Sequence, residues 1–423
     1  MVQLTDDCFA HGGALMRADV ALAELRARLV PVTDPETVGL VGATGRILAE
    51  DIVAARDVPP HANAAVDGYA FRNADLPGDC PAELLVAGRA AAGHPLAGAL
   101  PAGAALRIFT GAPLPEGAGA PDTIAMQEDC RPLADGTRVA LPRGLKPGAN
   151  VRERGEDVRA GTTILKAGVR LRPQDIGLAA SVGATSLPVH RRLRVALFST
   201  GDEVHEPGTA LPAGGIYDAN RYCLHALLDG MGCAVDDLGI LPDDATAIRD
   251  ALAAAARDSD AIVTSAGMSV GEEDHMAAAV GALGRLHFWK LAIKPGRPVA
   301  LGQIGAVPFI GLPGNPAAMM VTFLRVARPA LLRLAGAREL APHVYRVRAG
   351  FDHRKKAERR EFVRVRLTPD ADGMPRADRF PREGAGILSS LVEADGLVEL
   401  AEETTTLTAG SMVDFVPFNE VIG

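Results

Sequence analysis

V-A-L-F-S-T-G-D-E, residues Val195–Glu203, passes from four apolar residues through three small ones to two carboxylates, and this order decides how the surrounding region folds. The apolar run reads as a buried parallel strand. Ser199, Thr200 and Gly201 read as the tight turn at its carboxyl end, whose backbone N–H groups can approach a phosphate-like oxygen. Asp202 and Glu203 add hard oxygen ligands for a metal. A strand end followed by an Asp helix cap would use the same residues, so the motif gains meaning only from the pattern downstream of it.

Downstream, strands and helices alternate. Val195–Phe198, Val235–Ile240, Ala261–Ser265 and Phe309–Leu312 read as strands, and Asn220–Met231, Ala245–Arg257, His275–Leu283 and Ala317–Leu334 as helices. Such alternation predicts βαβ units and a mostly parallel sheet covered by helices. Ligands of an open α/β sheet bind outside the carboxyl ends of its strands, so these loops should be chemically loaded. They are: Ser199–Glu203; Asp243 and Asp244; A-G-M-S-V-G-E-E-D at Ala266–Asp274; and G-L-P-G-N-P at Gly311–Pro316. In the third loop Gly267 and Gly271 permit close backbone approach, Ser269 is a neutral donor, and Glu272, Glu273 and Asp274 are possible magnesium ligands, Asp274 serving equally as a helix cap. In the fourth, Pro313 and Pro316 stiffen the chain and Asn315 is a natural N-cap. The exposed amino end of the adjoining helix is then a seat for an anion, although a rigid strand-to-helix turn needs the same residues.

Between the last two loops lies F-W-K-L-A-I-K-P-G-R-P at Phe288–Pro298. Read as one strand, it puts Lys290 and Lys294 on one face about 13 Å apart, able to hold different parts of one long anion. Alternating surface lysines are also common without any ligand.

The rest of the chain sets the context. A length of 423 residues implies two to four domains. Residues Arg17–Leu29 read as an amphipathic helix, and Pro173–Val182 as another. The stretch Asp57–Val151 is rich in Gly, Pro and Ala with short β-like runs (Leu106–Phe109, Thr123–Met126, Arg138–Leu141), which suggests a small β-rich domain. After Gly336, Val344–Phe351, Glu361–Leu367, Gly396–Leu400 and Met412–Phe418 read as strands of a small β-barrel or sandwich. A net charge of -8 argues against a nucleic-acid or membrane-surface binder, and the basic run Arg354–Arg360 reads as a solvated loop. Five scattered cysteines without C-x-x-C spacing, no apolar span of membrane length and no basic-apolar leader point to a cytoplasmic protein. No G-x-S-x-G, phosphate-loop or dinucleotide fingerprint adjoins a strand.

Taken together, V-D-G-Y-A (Val66–Ala70), T-G-A-P (Thr110–Pro113), R-G-E-D (Arg154–Asp157), S-T-G-D-E (Ser199–Glu203), S-V-G-E-E-D (Ser269–Asp274), W-K-L-A-I-K-P-G (Trp289–Gly296) and G-L-P-G-N-P (Gly311–Pro316) resemble the MoeA/gephyrin-type molybdopterin molybdenumtransferases over nearly the whole chain. The resemblance implies four domains: a linking domain of residues 1–56 with 152–190, a β-rich domain 57–151, a three-layer α/β/α, MogA-like molybdopterin-binding domain 191–337, and a C-terminal small β-barrel 338–423. It implies a homodimer in which the α/β domain of one subunit faces the β-rich domain of the other. It also implies Mg²⁺-dependent insertion of molybdate into adenylylated molybdopterin with release of AMP, and onward transfer to molybdoenzymes or contact with the adenylyltransferase partner. Carried over by motif, Glu203, Asp243 and Asp274 hold metal or shape the site, and Lys290 and Lys294 bind oxyanion or phosphates. Asp67, Thr110, Asp157, Ser199, Thr200, Gly201, Ser269, Gly271, Pro313, Asn315, Pro316, Ser389 and Ser390 line the substrate site.

Two departures stand out. H-A-N-A-A-V-D-G-Y-A places Ala62 where the family has an acidic residue, and Ala266 replaces the glycine of an S-G-G loop. Ala62 keeps open a non-catalytic, gephyrin-like scaffold. The α/β domain by itself also resembles molybdopterin adenylyltransferase, against which the additional domains speak.

Overall fold

The computed structural model describes residues 15–76, 82–265 and 275–422. The chain divides into two compact units: residues 51–166 with 172–186, and the remainder.

In the larger unit, a six-stranded sheet has the order Ala234–Leu241, Arg194–Thr200, Ala261–Ser265, Val307–Leu312, Pro298–Ile304, Gly284–Lys290. The first four strands are mutually parallel and the last two are added antiparallel. Period-2 alternation divides the central strands between two cores. Val195 and Leu197 face the layer containing helix Asn220–Gly230 and the helical run from Pro316, while Ala196 and Phe198 face helices Ala245–Asp258 and His275–Leu283. The strands are therefore buried on both faces, which is why they read as continuous apolar runs. The connections from Arg194–Thr200 run first to Ala234–Leu241 on one side and then to Ala261–Ser265 on the other, so the strand order reverses there and a crevice opens at their carboxyl ends.

After this domain the chain forms a closed five-stranded barrel, in the order Arg360–Pro369, Pro375–Arg379, Tyr345–Ala349, Met412–Pro417, Gly396–Leu400 and back to Arg360–Pro369. Val347, Val365, Val398, Val413 and Phe415 fill it. Helix Ala18–Arg28 sends Leu25 to the same core as the helical run from Pro316 to Leu334.

The smaller unit is built on another six-stranded sheet, with Gly68–Phe71 between Thr123–Met126 and Ala104–Ile108, and Glu83–Ala90 beyond. Gly68 of the V-D-G-Y-A motif cannot carry a side chain: a Cβ there would stand 1.9 Å from the Ala125 carbonyl oxygen.

The reading of Phe288–Pro298 as one strand is corrected. Lys290 ends the strand Gly284–Lys290, and the chain then leaves the sheet, its turn pinned by hydrogen bonds from Met16 N–H to Lys290 O (2.9 Å) and from Ala292 N–H to Met16 O (2.7 Å). Lys294 lies on a separate two-residue strand, Ile293–Lys294, paired in parallel with Arg360–Glu361 of the barrel. The two lysines therefore do not share a strand face. Among the described residues no helix is long and apolar enough to cross a membrane.

Candidate functional site

The carboxyl ends of Arg194–Thr200, Ala261–Ser265 and Val307–Leu312 open on a cleft of about 480 Å³. Ser199 and Ser265 are register partners on adjacent strands, and both line it. Ser199 is 2 % exposed, and its buried hydroxyl has no hydrogen-bond partner among the described residues. A buried orphan hydroxyl is costly unless something else completes it. Gly201 turns the chain with φ +128°, and a Cβ there would meet Glu203 Oε2 at 2.7 Å. The turn thus brings the Glu203 carboxylate back over its own backbone, and Glu203 lines the cleft.

Residues beyond the turn form a small flap of the parallel pair Val204–His205 and Ile216–Tyr217. Its anchor is Arg221, 4 % exposed, which donates to Asp218 (3.0 Å), Asp237 (2.5 Å) and Glu206. Burial alone would lower the basicity of Arg221; the hydrogen bonds to Asp237 and Asp218 more than offset it and hold the guanidinium above its ordinary pKa. Asn220 donates through Nδ2 to Gly314 O at 2.7 Å, which ties the helix start to the G-L-P-G-N-P loop, and its buried Oδ1 has no partner among the described residues.

At that loop Gly314, Asn315 and Pro316 line the cleft, and the helix amino end they form is in part already occupied. Asn315 occupies the N-cap position but its side chain makes no capping bond, and Pro316 takes the first turn as expected. The free N–H of Ala317 is satisfied by the carbonyl of Ala385 at 2.8 Å, so a barrel loop covers the helix end. Its neighbour Gly386 lines the cleft.

Asn315 also borders a second cavity, of about 590 Å³, between the α/β domain and the barrel. Lys294 and Arg297 line it from one side and Arg364, Arg379 and Arg382 from the other. Pro313 belongs to this cavity. Such clustering of cations in a chain of net charge -8 supplies locally what an anionic substrate needs.

Other residues expected at the site are placed apart from these cavities. Lys290 is exposed and lines neither. Asp243 is exposed and lines neither; its neighbour Asp244 caps helix Ala245–Asp258 by accepting from Ala247 N–H at 2.8 Å. Thr200 is buried within its strand. Ser389 is exposed at the start of helix Ser389–Glu393, while Ser390 is fully buried and its hydroxyl donates to Ile387 O at 2.5 Å. Ser269, Gly271 and Asp274, with Ala266, lie outside the described residues. No group of three His, Cys, Asp or Glu side chains suited to a metal occurs among the described residues.

In the smaller unit, Asp67 Oδ1 accepts from Thr110 N–H (2.8 Å) and from its hydroxyl (2.7 Å). These bonds, the backbone one first, hold the Asp67 carboxyl below its ordinary range. Asp157 is exposed. Two residues that the sequence motifs do not single out support this pair or its surroundings. Arg107 donates to Gly68 O (2.9 Å) and Gln127 Oε1 (2.6 Å) while stacking on Tyr69 and Phe109. Asp57 accepts from Arg154 Nε (2.6 Å) and Ala160 N–H (2.8 Å), which gives the R-G-E-D arginine a structural use. The only local signal for Arg107 is its place two residues before F-T-G-A-P. Ala62 offers only its backbone here, its carbonyl accepting from Leu114 N–H at 2.9 Å.

Comparison with known proteins gives this arrangement its class. Residues 16–183 match the MoeA N-terminal region (domain I and II), 196–333 the family described as probable molybdopterin binding domain, and 346–418 the MoeA C-terminal region (domain IV). Three regions in this order define a MoeA-type chain. A molybdopterin molybdenumtransferase of Haemophilus influenzae is 36% identical over 97% of this chain and 100% of its own length, and one from a Nostoc species is 35% identical over 90% of this chain and 88% of its own. The crystal structure of a molybdopterin biosynthesis MoeA protein from Pyrococcus horikoshii superposes with a TM-score of 0.80 at 29% identity, covering 96% of this chain and 100% of that one. This chain belongs to the molybdopterin molybdenumtransferase family.

Proposed function

We propose that the protein inserts molybdate into the dithiolene of adenylylated molybdopterin and releases AMP. The observation that supports this best is the buried Ser199 hydroxyl, unpartnered among the described residues, in a cleft at the strand switch point beside the Glu203 carboxylate and a cationic cavity. In this reading the Ser199–Gly201 turn and Asn220 bind the organic substrate. Lys294, with Arg297 and the barrel arginines, collects the oxyanion. Glu203 and Asp274 would be the residues to hold Mg²⁺, an ion commonly bound by one or two carboxylates plus phosphates. The chemistry such an ion would supply when bound is neutralisation of charge on the phosphoanhydride. Asp67, Thr110 and Asp157 belong to the substrate site of a homodimer acting in the cytoplasm.

Mixing purified protein with Mg²⁺, molybdate and adenylylated molybdopterin tests this directly. AMP release and molybdenum incorporation are expected, with Glu203→Gln slowing both about 100-fold. If neither product forms, the catalytic reading fails and the scaffold reading that Ala62 favours takes its place. Ala62→Asp should raise the rate; an unchanged rate would show that the missing carboxylate is not limiting.

A further inference from the structure

Within the cationic cavity stands a carboxylate that the proposed chemistry does not use. Glu361 is 5 % exposed, and its Oε2 lies 3.0 Å from His353 Nε2 and 3.4 Å from Lys294 Nζ. On the other side of the imidazole, Nδ1 is 3.4 Å from Arg379 Nη1, and Arg379 also donates to Glu383 at 3.1 Å. A guanidinium has no acceptor, so Nδ1 accepts from Arg379 and Nε2–H donates to Glu361; the tautomer is fixed by the chemistry of the neighbours. In this arrangement Nε2 carries the ring proton that faces Glu361, and Arg379 occupies the position at which a second proton would bind. The strand Thr406–Leu407 paired with His353–Arg354 adds no titratable group, and Phe351 meets the imidazole edge-on at 6.3 Å between centroids.

An oxyanion entering this cavity competes with Glu361 for Lys294, and with Glu383 and Nδ1 for Arg379. Once Arg379 turns toward the anion, Nδ1 is released. A nearby dianion then favours the charged imidazole, the side chain whose ordinary titration lies closest to neutrality. We infer that binding of a tetrahedral oxyanion dianion here is coupled to uptake of one proton by His353, with Arg379 as the latch and Glu361 as the internal counter-ion that the imidazolium neutralises. The proton comes from solvent and no covalent bond changes. His353 is a positioning residue in this scheme, and the inference rests on the proposal that this cavity collects the oxyanion.

Titration calorimetry of the full chain with sodium molybdate, in buffers of low and high protonation enthalpy near about pH 7.5, reads the protons directly. The wild type should take up about one proton, and its affinity should fall by up to about tenfold per pH unit as pH rises. H353Q keeps a donor toward Glu361 but cannot be protonated, so its binding heat should lose the buffer dependence. E361Q, lacking the competing charge, should bind molybdate several-fold more tightly. Binding without buffer dependence in the wild type, an equal proton count in H353Q, or weaker binding by E361Q overturns the coupling. Absence of any molybdate binding overturns both the coupling and the assignment of the cavity to the oxyanion.

Discussion

At the residue scale, the Ser-Thr-Gly turn works because of what it lacks. Gly201 sits at φ +128°, a conformation that side chains rarely adopt, and its missing Cβ leaves room for the Glu203 carboxylate. Gly201→Ala is expected to cost about 1–3 kcal/mol in chemical denaturation, through strain alone. It should also displace Glu203, so activity should fall further than stability explains, and a variant that keeps full activity would contradict the placement. Asp67 allows a pH test. Its folded pKa lies below its unfolded one because Thr110 donates to the ionised form, so its contribution is complete above the ordinary carboxylate range and is lost as pH falls through the depressed value. Thermal melts of Asp67→Asn should therefore differ from wild type at about pH 7 and converge with it in strong acid.

At the scale of elements, the helical run after the G-L-P-G-N-P loop shows what sequence can and cannot reveal. The apolar pattern predicts one helix over Ala317–Leu334; the chain instead forms Pro316–Thr322, a π-turn at Phe323–Ala327, then Arg328–Leu334. Nearly every residue there is buried, so no polar face marks the interruption. Phe323 lies fully buried in the interruption, and Phe323→Ala should destabilise the larger unit by about 3–5 kcal/mol in urea titration. The central parallel strands are legible to within a residue or two because burial on both faces leaves unbroken apolar runs. The antiparallel strand Pro298–Ile304 is not legible: it opens on Pro and contains Gly302, both weak strand formers. Of the strand-end loops, Ser199–Glu203 and Gly311–Pro316 contribute residues to the cavities, and each is one contiguous stretch of sequence. The Lys294–Glu361 contact is not, since it joins residues 67 apart through a barrel strand that has no local signature of charge pairing.

At the scale of the whole molecule, two units with their own cores set the expectation for unfolding. Tyr69, Phe71, Leu106 and Ile124 are buried within the smaller unit, whereas a single cluster in the larger unit joins Leu25 of the first helix, Phe323 of the α/β domain and Phe362, Leu397 and Val416 of the barrel region. Calorimetry should resolve two cooperative transitions, one per unit, and one transition common to all probes would refute that division.

The carbonyl of Ala385 on the Ala317 amide, together with the strand Ile293–Lys294 paired to the barrel, bears on how such a protein can be taken apart. An α/β domain cut free at about residue 337 would keep its sheet. It would nonetheless leave a bare helix end beside its cleft, half of its cationic cavity and an uncovered apolar flank where Phe362 and Leu397 had packed. Recombination of this domain with foreign partners, in the laboratory or over evolutionary time, therefore has a seam that does not fall in the loop between domains. The transferable module is the α/β layer together with the barrel that stoppers its helix.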